Sequence, residues 1–230
     1  VSRREEIEKN LPEAPDFTGD KGIKLEDVAN NRATLAGFTA QLEDVELEAL
    51  CRGDYVMNSK LGTPGNAAVY GGILKSLREK GVPPVTATDG PSGIRLHSYA
   101  SLLPIGTLLA STWNQQLVRE LYSVEGAEMV RKGSDVLLAP GMNIHRDPLC
   151  GRNFEYFSED PLLTGKMAAA FVRGIQSSGG SACPKHFACN NQESSRTINN
   201  SIVSQRALRE IYIKGFEICV KEAKPLNIMT

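Results

Sequence analysis

Three short stretches combine charged or polar residues with turn-forming ones in a way that can hold a hydroxyl-rich ligand. The first is Asp89-Gly90-Pro91-Ser92-Gly93-Ile94-Arg95. Its two glycines and proline force a tight loop that lets backbone approach a ligand closely. A carboxylate at the head of such a loop can accept two hydroxyl hydrogen bonds, each charge-assisted. A plainer reading has Asp89 capping its own turn and pairing with Arg95. The second stretch, Gly151-Arg152-Asn153-Phe154-Glu155-Tyr156-Phe157-Ser158-Glu159-Asp160-Pro161, packs four charges and three aromatics into eleven residues. Arg152 offers a planar fork suited to adjacent hydroxyls or to a carboxylate. The aromatics can stack on a ligand or pack beneath the loop, and Ser158-Glu159-Asp160 fits a helix N-terminus. The third is Cys183-Pro184-Lys185-His186-Phe187-Ala188-Cys189. Here a Lys-His pair can donate hydrogen bonds to a ligand, since Lys only donates and neutral His both donates and accepts. Two other readings stand beside it: a core His with an exposed Lys, and C-x2-H-x2-C ligation of zinc. The zinc reading lacks a fourth ligand at sensible spacing, and a strand would turn its residues to alternate faces.

The elements that must position these residues alternate. Residues 1–35 are polar and weakly periodic, carry Pro12, Pro15, Gly19 and Gly22, and read as a linker or the tail of a preceding domain. A short helix is expected over 42–50 and another over 66–80, ending at Gly81. Val85-Thr86-Ala87-Thr88 reads as a strand, 114–132 as a helix, Val136-Leu137-Leu138-Ala139 as a buried strand, and 162–176 as a helix behind Pro161. A strand over 182–187 and a helix capped by Ser204 follow, the helix with Leu208, Ile211, Tyr212, Phe216, Cys219 and Val220 on one face. Leu226-Asn227-Ile228-Met229 begins a last strand. Such alternation predicts an α/β fold with a parallel sheet and helices outside it. No G-x-G-x-x-G follows a strand, which argues against a dinucleotide-binding open sheet. Asp89, then Asn143 and His145, then Lys185 and His186 each follow a strand end. That placement suits the C-terminal rim of a (β/α)8 TIM-like barrel. Four to five strands are expected, so the barrel is incomplete in this chain.

Composition sets the outer bounds. With a net charge of −1 and a pI near 6.4, the chain has no field that would recruit nucleic acid or an acidic membrane. No apolar run reaches the roughly 20 residues that span a bilayer. The start, Val1-Ser2-Arg3-Arg4-Glu5-Glu6, has no apolar core like that of a signal peptide. The cysteines, Cys51, Cys150, Cys183, Cys189 and Cys219, are odd in number and scattered, which points to reduced thiols and a cytoplasmic location. In that compartment the sequon Asn199-Asn200-Ser201 carries no meaning. No G-x-S-x-G, Walker loop or H-E-x-x-H is present.

Taken together, Thr88 to Arg95, Gly151 to Pro161 and Pro184 to Arg196 resemble the N-terminal part of the catalytic barrel of glycoside hydrolase family 3. Pro140 to Pro148 supports the likeness, which covers about residues 55–230. The approach at Thr63-Pro64-Gly65 resembles bacterial members whose barrel follows another domain. The resemblance implies a retaining hydrolase of terminal non-reducing β-linked sugars, β-glucosidase-like, with residues 51–230 as the first part of the barrel. It implies that Asp89, Arg152, Lys185 and His186 grip the terminal sugar, with Arg95 and Arg196 in matching motifs, Arg95 as a possible orienter of Asp89. It implies no catalytic residue here: the nucleophile Asp is expected beyond Thr230, and the acid/base there or in another domain. No cofactor, metal, nucleic acid or membrane is implied; the partners are a small β-glucoside-like carbohydrate and the remainder of the enzyme or a complementing chain. The competing reading is a non-catalytic carbohydrate-binding homologue or fragment.

Overall fold

The structure is a computed structural model that describes residues 2–13 and 15–230; Val1 and Ala14, within the stretch read as a linker, lie outside the described residues. The chain divides into two compact units, one formed by residues 1–54 with 70–84, the other by 55–69 with 85–230.

The first unit carries five helices: α1 (Arg3–Lys9), α2 (Leu25–Ala29), α3 (Leu35–Ala40), α4 (Asp44–Arg52) and α5 (Lys75–Glu79). Phe38, Leu42, Ala49, Leu77 and Val82 are its buried apolar residues, with Ile23, Leu25 and Val28 packed against them. Residues 23–28 thus belong to a small core rather than to bare linker, because Ile23 and the i, i+3 pair Leu25 and Val28 of α2 find a surface to cover. Lys80 forms a nearly buried ion pair with Glu46 at 2.8 Å.

Strand β1 (Ala68–Gly71) occupies part of the stretch expected as one helix over 66–80. Gly71, at φ +79°, and Gly72 break the helical path; a Cβ on Gly72 would overlap the Val82 carbonyl. Only Lys75–Glu79 is helical.

The second unit holds the chemistry. Its elements are β2 (Pro84–Asp89), α6 (Gly106–Ser111), α7 (Gln115–Arg131), β3 (Val136–Leu138), a 3₁₀ turn at Asn153–Glu155, α8 (Pro161–Gln176), β4 (Ser181–Ala182), α9 (Gln205–Ala207), a π-helical turn at Leu208–Tyr212, and α10 (Lys214–Ala223). The sheet order is β1-β2-β3-β4. β2 pairs with β3 in parallel, Asp89 opposite Leu138, and β3 pairs in parallel with β4, Leu137 opposite Ala182. The last two expected strands shrink. β4 is two residues long, and past it only a bridge between Gly141 and Lys185 continues the pairing. Residues 226–229 form no strand, although the Met229 N–H donates to the Pro184 carbonyl.

The helices begin where their caps dictate. The Asn114 side chain accepts from the Leu117 N–H, and Asp160 accepts from the Leu162 N–H just ahead of Pro161. α8 packs against both α7 and α10 and is apolar nearly all round, with Met167, Ala168, Ala169, Ala170, Phe171, Val172 and Ile175 buried. Small residues set the helix spacing: a Cβ on Gly174 would stand 2.5 Å from the Arg119 carbonyl oxygen, and one on Gly126 2.8 Å from that of Ile175. Tyr122 of α7 and Phe171 of α8 stack in the space this leaves, ring centroids 3.7 Å apart.

Two outcomes follow. Gly174→Ala, which gains about 1 kcal/mol of helix propensity, is expected to destabilise by about 1–3 kcal/mol through overpacking, read from the urea midpoint; a rise in stability would contradict the close approach. The buried Glu125 of α7 also has a measurable signature. Burial, reinforced by Glu128, pushes its carboxyl up from 4.5 to about 8. The folded chain therefore keeps a proton that the unfolded chain releases. Stability contributed by this group is greatest below pH 4.5 and falls as pH rises to about 8. Urea titrations across this range should show the wild type losing ground steadily to Glu125→Gln.

Candidate functional site

Asp89 is the last residue of β2, and the chain must turn away immediately after it. Gly90 and Gly93 adopt φ +137° and +119°, and a Cβ on either would overlap backbone, that of Gly93 or of Ser101. Only glycine fits at both positions. The loop is tied down by the Arg95 N–H donating to the Asp89 carbonyl at 2.9 Å, and by the Tyr122 hydroxyl donating to the Pro91 carbonyl at 2.9 Å. The carboxylate consequently faces the space beyond the strand ends.

Lys185 enters that space from the segment after β4. It is 3% exposed, and its Nζ lies 3.0 Å from Asp89 Oδ1. Arg95, largely exposed, reaches Asp89 Oδ2 at 3.1 Å. Burial by itself would raise the Asp89 carboxyl; the Lys185 ammonium and the Arg95 guanidinium outweigh it and hold the group below its usual 3.8. Asp89 is thus a fixed anion with hydrogen-bonding capacity left over, and Arg95 lies against it.

His186 follows. Burial first, then the charges of Arg152, Lys185 and Arg196, push its imidazole down to about 3, so the ring is neutral. Arg152, at the base of the 3₁₀ turn, forms a salt bridge through Nε with Glu155, which is itself 6% exposed. Arg196 pairs with Glu193 at 3.2 Å on the polar loop. All six residues singled out from the sequence, Asp89, Arg95, Arg152, Lys185, His186 and Arg196, line one cavity of about 900 Å³. Phe154 lines it as well, whereas Tyr156 and Phe157 are buried beneath.

The zinc alternative has no geometry behind it: among the described residues no group of three or more His, Cys, Asp and Glu is placed to hold a metal ion. All five cysteines are free thiols. Several supporting residues carried no clear signal in the sequence. Asn143 clamps the His186 backbone, and Asn190 donates to the Tyr156 hydroxyl at 3.0 Å. His145 secures the turn through its Nε2, 2.8 Å from the Asn153 carbonyl. A strand-end polar residue was the one available hint for Asn143 and His145; nothing distinguished Asn190 from its neighbours in a polar loop.

The Asp89–Lys185 pair predicts an asymmetry. Removing the carboxylate strands a buried ammonium, so Asp89→Ala should cost about 3 kcal/mol in unfolding free energy. Lys185→Met leaves a partly exposed Asp89 still paired with Arg95 and should cost less, about 1 kcal/mol. Because the folded Asp89 carboxyl is held below 3.8, its contribution is present above that pH and is lost as pH falls below it. Lys185→Met should flatten this acid limb. Equal costs for the two variants, or an unchanged acid limb, would contradict the pairing.

Comparison with known proteins agrees with this geometry. The family model described as glycosyl hydrolase family 3 N terminal domain matches residues 65–230. A β-glucosidase of Ruminococcus albus is 53% identical over 222 residues, covering 96% of this chain and 23% of that protein. The crystal structure of a β-glucosidase from Paenibacillus barengoltzii superposes with a TM-score of 0.97 at 54% identity, covering 100% of this chain and 25% of that one. That of β-glucosidase 3B from Thermotoga neapolitana in complex with α-D-glucose gives a TM-score of 0.74 at 42% identity, covering 81% of this chain and 27% of that one. The chain therefore spans about a quarter of the length of the relatives it matches. Over the residues that build the cavity and the sheet beneath it, the match is close enough to decide the family: the chain belongs to glycosyl hydrolase family 3.

Proposed function

We propose that this chain supplies the sugar-binding half of a retaining β-glucosidase, and that the intact enzyme hydrolyses terminal non-reducing β-linked sugars. Asp89 accepts two hydroxyl hydrogen bonds from the terminal sugar, while Arg152, Lys185, His186 and Arg196 complete the subsite and Arg95 orients Asp89. The observation that carries the reading is the Lys185–Asp89–Arg95 constellation, 3.0 and 3.1 Å long, in the lining of a cavity it shares with the other three residues. Parallel β2, β3 and β4, with the site at their carboxyl ends, support residues 51–230 as the first strands of a (β/α)8 barrel. Residues 1–50 then lead into it. Five free cysteines support a cytoplasmic setting.

Retaining hydrolysis needs two carboxyl groups about 5 Å apart, one to attack the anomeric carbon and one to protonate the leaving oxygen. Each carboxylate lining or bordering this cavity is already committed to a cation: Asp89 to Lys185, Glu155 to Arg152, Glu193 to Arg196. That supports a nucleophile and an acid/base that lie outside residues 1–230.

The 230-residue chain is accordingly expected to leave an aryl β-glucoside intact while binding glucose in a calorimetric titration. Asp89→Ala should weaken that binding at least about 100-fold, two charge-assisted hydrogen bonds at about 1.5 kcal/mol each. Turnover by the chain that Asp89→Ala abolishes would overturn the division of labour. Glucose binding unaffected by Asp89→Ala would overturn the subsite.

A further inference from the structure

Asn143 is 2% exposed and follows β3 by a few residues, at the level where Lys185 and His186 leave β4. Its amide is held in one orientation by backbone alone. Oδ1 accepts from the His186 N–H at 2.8 Å, and Nδ2 donates to the His186 carbonyl at 2.9 Å. Flipping the amide would set a donor against an N–H and an acceptor against a carbonyl, so the assignment does not rest on choosing between similar atoms. The same Oδ1 lies 3.2 Å from His186 Nδ1. An amide oxygen can only accept, so a lone pair on Nδ1 would face another lone pair; this contact favours the tautomer with the proton on Nδ1. The Tyr156 hydroxyl, at 3.4 Å, is the more distant neighbour of Nδ1; its oxygen accepts from Asn190 at 3.0 Å and has a second lone pair that can accept from Nδ1–H. Nε2 makes no hydrogen bond to the described residues.

We propose that Asn143 is a positioning residue that locks neutral His186 in its Nδ1–H form, so that Nε2 meets the ligand as a hydrogen-bond acceptor. The expectation from residue types alone was a pair of donors, Lys185 and His186. The lock turns the pair into a donor beside an acceptor. A ligand hydroxyl can then accept from Lys185 or Arg152 and give its own proton to His186 Nε2 or Asp89. Both hydrogen-bonding roles of an OH are used, which an ether or a fluorine cannot imitate. The ligand half of this inference rests on the sugar-binding reading above; the tautomer half does not.

Long-range proton–nitrogen NMR correlations of the histidine rings test it on the 230-residue chain. The chain has three histidines, and His186→Gln identifies the His186 signals by their loss. The expected result is one tautomer, Nδ1 protonated and Nε2 not, with no charging over about pH 5 to 8, where ordinary histidines titrate. Asn143→Leu should release it to a mixture of tautomers, while Asn143→Asp, which keeps an acceptor oxygen opposite Nδ1, should restore the single form. A change that only loosened the fold would not be rescued in this way. A wild-type ring protonated on Nε2 overturns the proposal without any variant. So does a tautomer that Asn143→Leu leaves unchanged. In a parallel titration of glucose and its monofluoro analogues, one position should lose at least tenfold on fluorination, and the loss should shrink in Asn143→Leu. Failure of glucose to bind while Nδ1–H persists overturns the ligand half together with the sugar-binding reading, and spares the tautomer.

Discussion

A lysine ammonium that is 3% exposed needs an anion, and Lys185 has Asp89 at 3.0 Å. The organisation of the second unit follows from meeting that demand. The partners are 96 residues apart in sequence, so the fold must bring two strand ends to the same level. Parallel pairing does this: β2 and β4 flank β3, and the register sets Asp89 opposite Leu138, three residues before Gly141 of the Gly141–Lys185 bridge. An antiparallel partner would send the following residues to the opposite edge of the sheet. The loop after Asp89 must also clear the space the ammonium occupies, which is why its turn runs through glycines at conformations that other residues avoid.

The sheet keeps this level only if its outer layer is rigid. α8 lies against both α7 and α10, and glycines rather than large side chains separate the helices at their nearest points. Close backbone approach leaves little freedom to slide, since interiors packed this densely shift in discrete steps rather than smoothly. Tyr122 joins the helix layer to the loop that carries Asp89. Its ring stacks on Phe171 of α8, and its hydroxyl holds the Pro91 carbonyl in the loop that carries Asp89. Helix packing and site geometry are thereby coupled through one side chain.

Much of this was legible in the sequence where local chemistry and global fold agree. Pro161 behind Asp160 announced α8, Asn114 announced α7, and β-branched residues ahead of Asp89 announced β2; each appears within a residue or two of its expected place. Local signals misled where tertiary pairing decided. Ala68-Val69-Tyr70 has no feature that rules out a helix, yet it becomes a strand beside β2. Residues 182–187 look like a full strand, but pairing with β3 stops at Ala182 and the chain then bends to deliver Lys185 and His186. Asp89, Lys185 and His186 stood out as polar residues after strands, and Arg95, Arg152 and Arg196 as cations in the three matching motifs. Asn143 stood out only as a polar residue after a strand and Asn190 not at all, because a neutral amide in a loop looks the same whether it faces water or fixes a histidine. Distance in sequence hid the link as well: 43 residues separate Asn143 from His186.

The charge arrangement constrains what the cavity can accept. Four cationic side chains, Arg95, Arg152, Lys185 and Arg196, line it, and each is paired with a carboxylate from Asp89, Glu155 or Glu193. His186, driven neutral by burial and by those same cations, adds no charge. A phosphate or carboxylate ligand that took Arg152 from the buried Glu155 would leave a desolvated, unpaired carboxylate behind, at a cost of several kcal/mol; one that took Lys185 would leave Asp89 with Arg95 alone. A neutral ligand with many hydroxyls breaks no pair. It hydrogen-bonds to lone pairs and N–H groups that the ion pairs leave unused, and each such bond is charge-assisted. On the sugar-binding proposal, the ion pairs that hold the strand ends together also favour, by what they refuse to give up, an uncharged polyhydroxyl ligand over an anion of similar size.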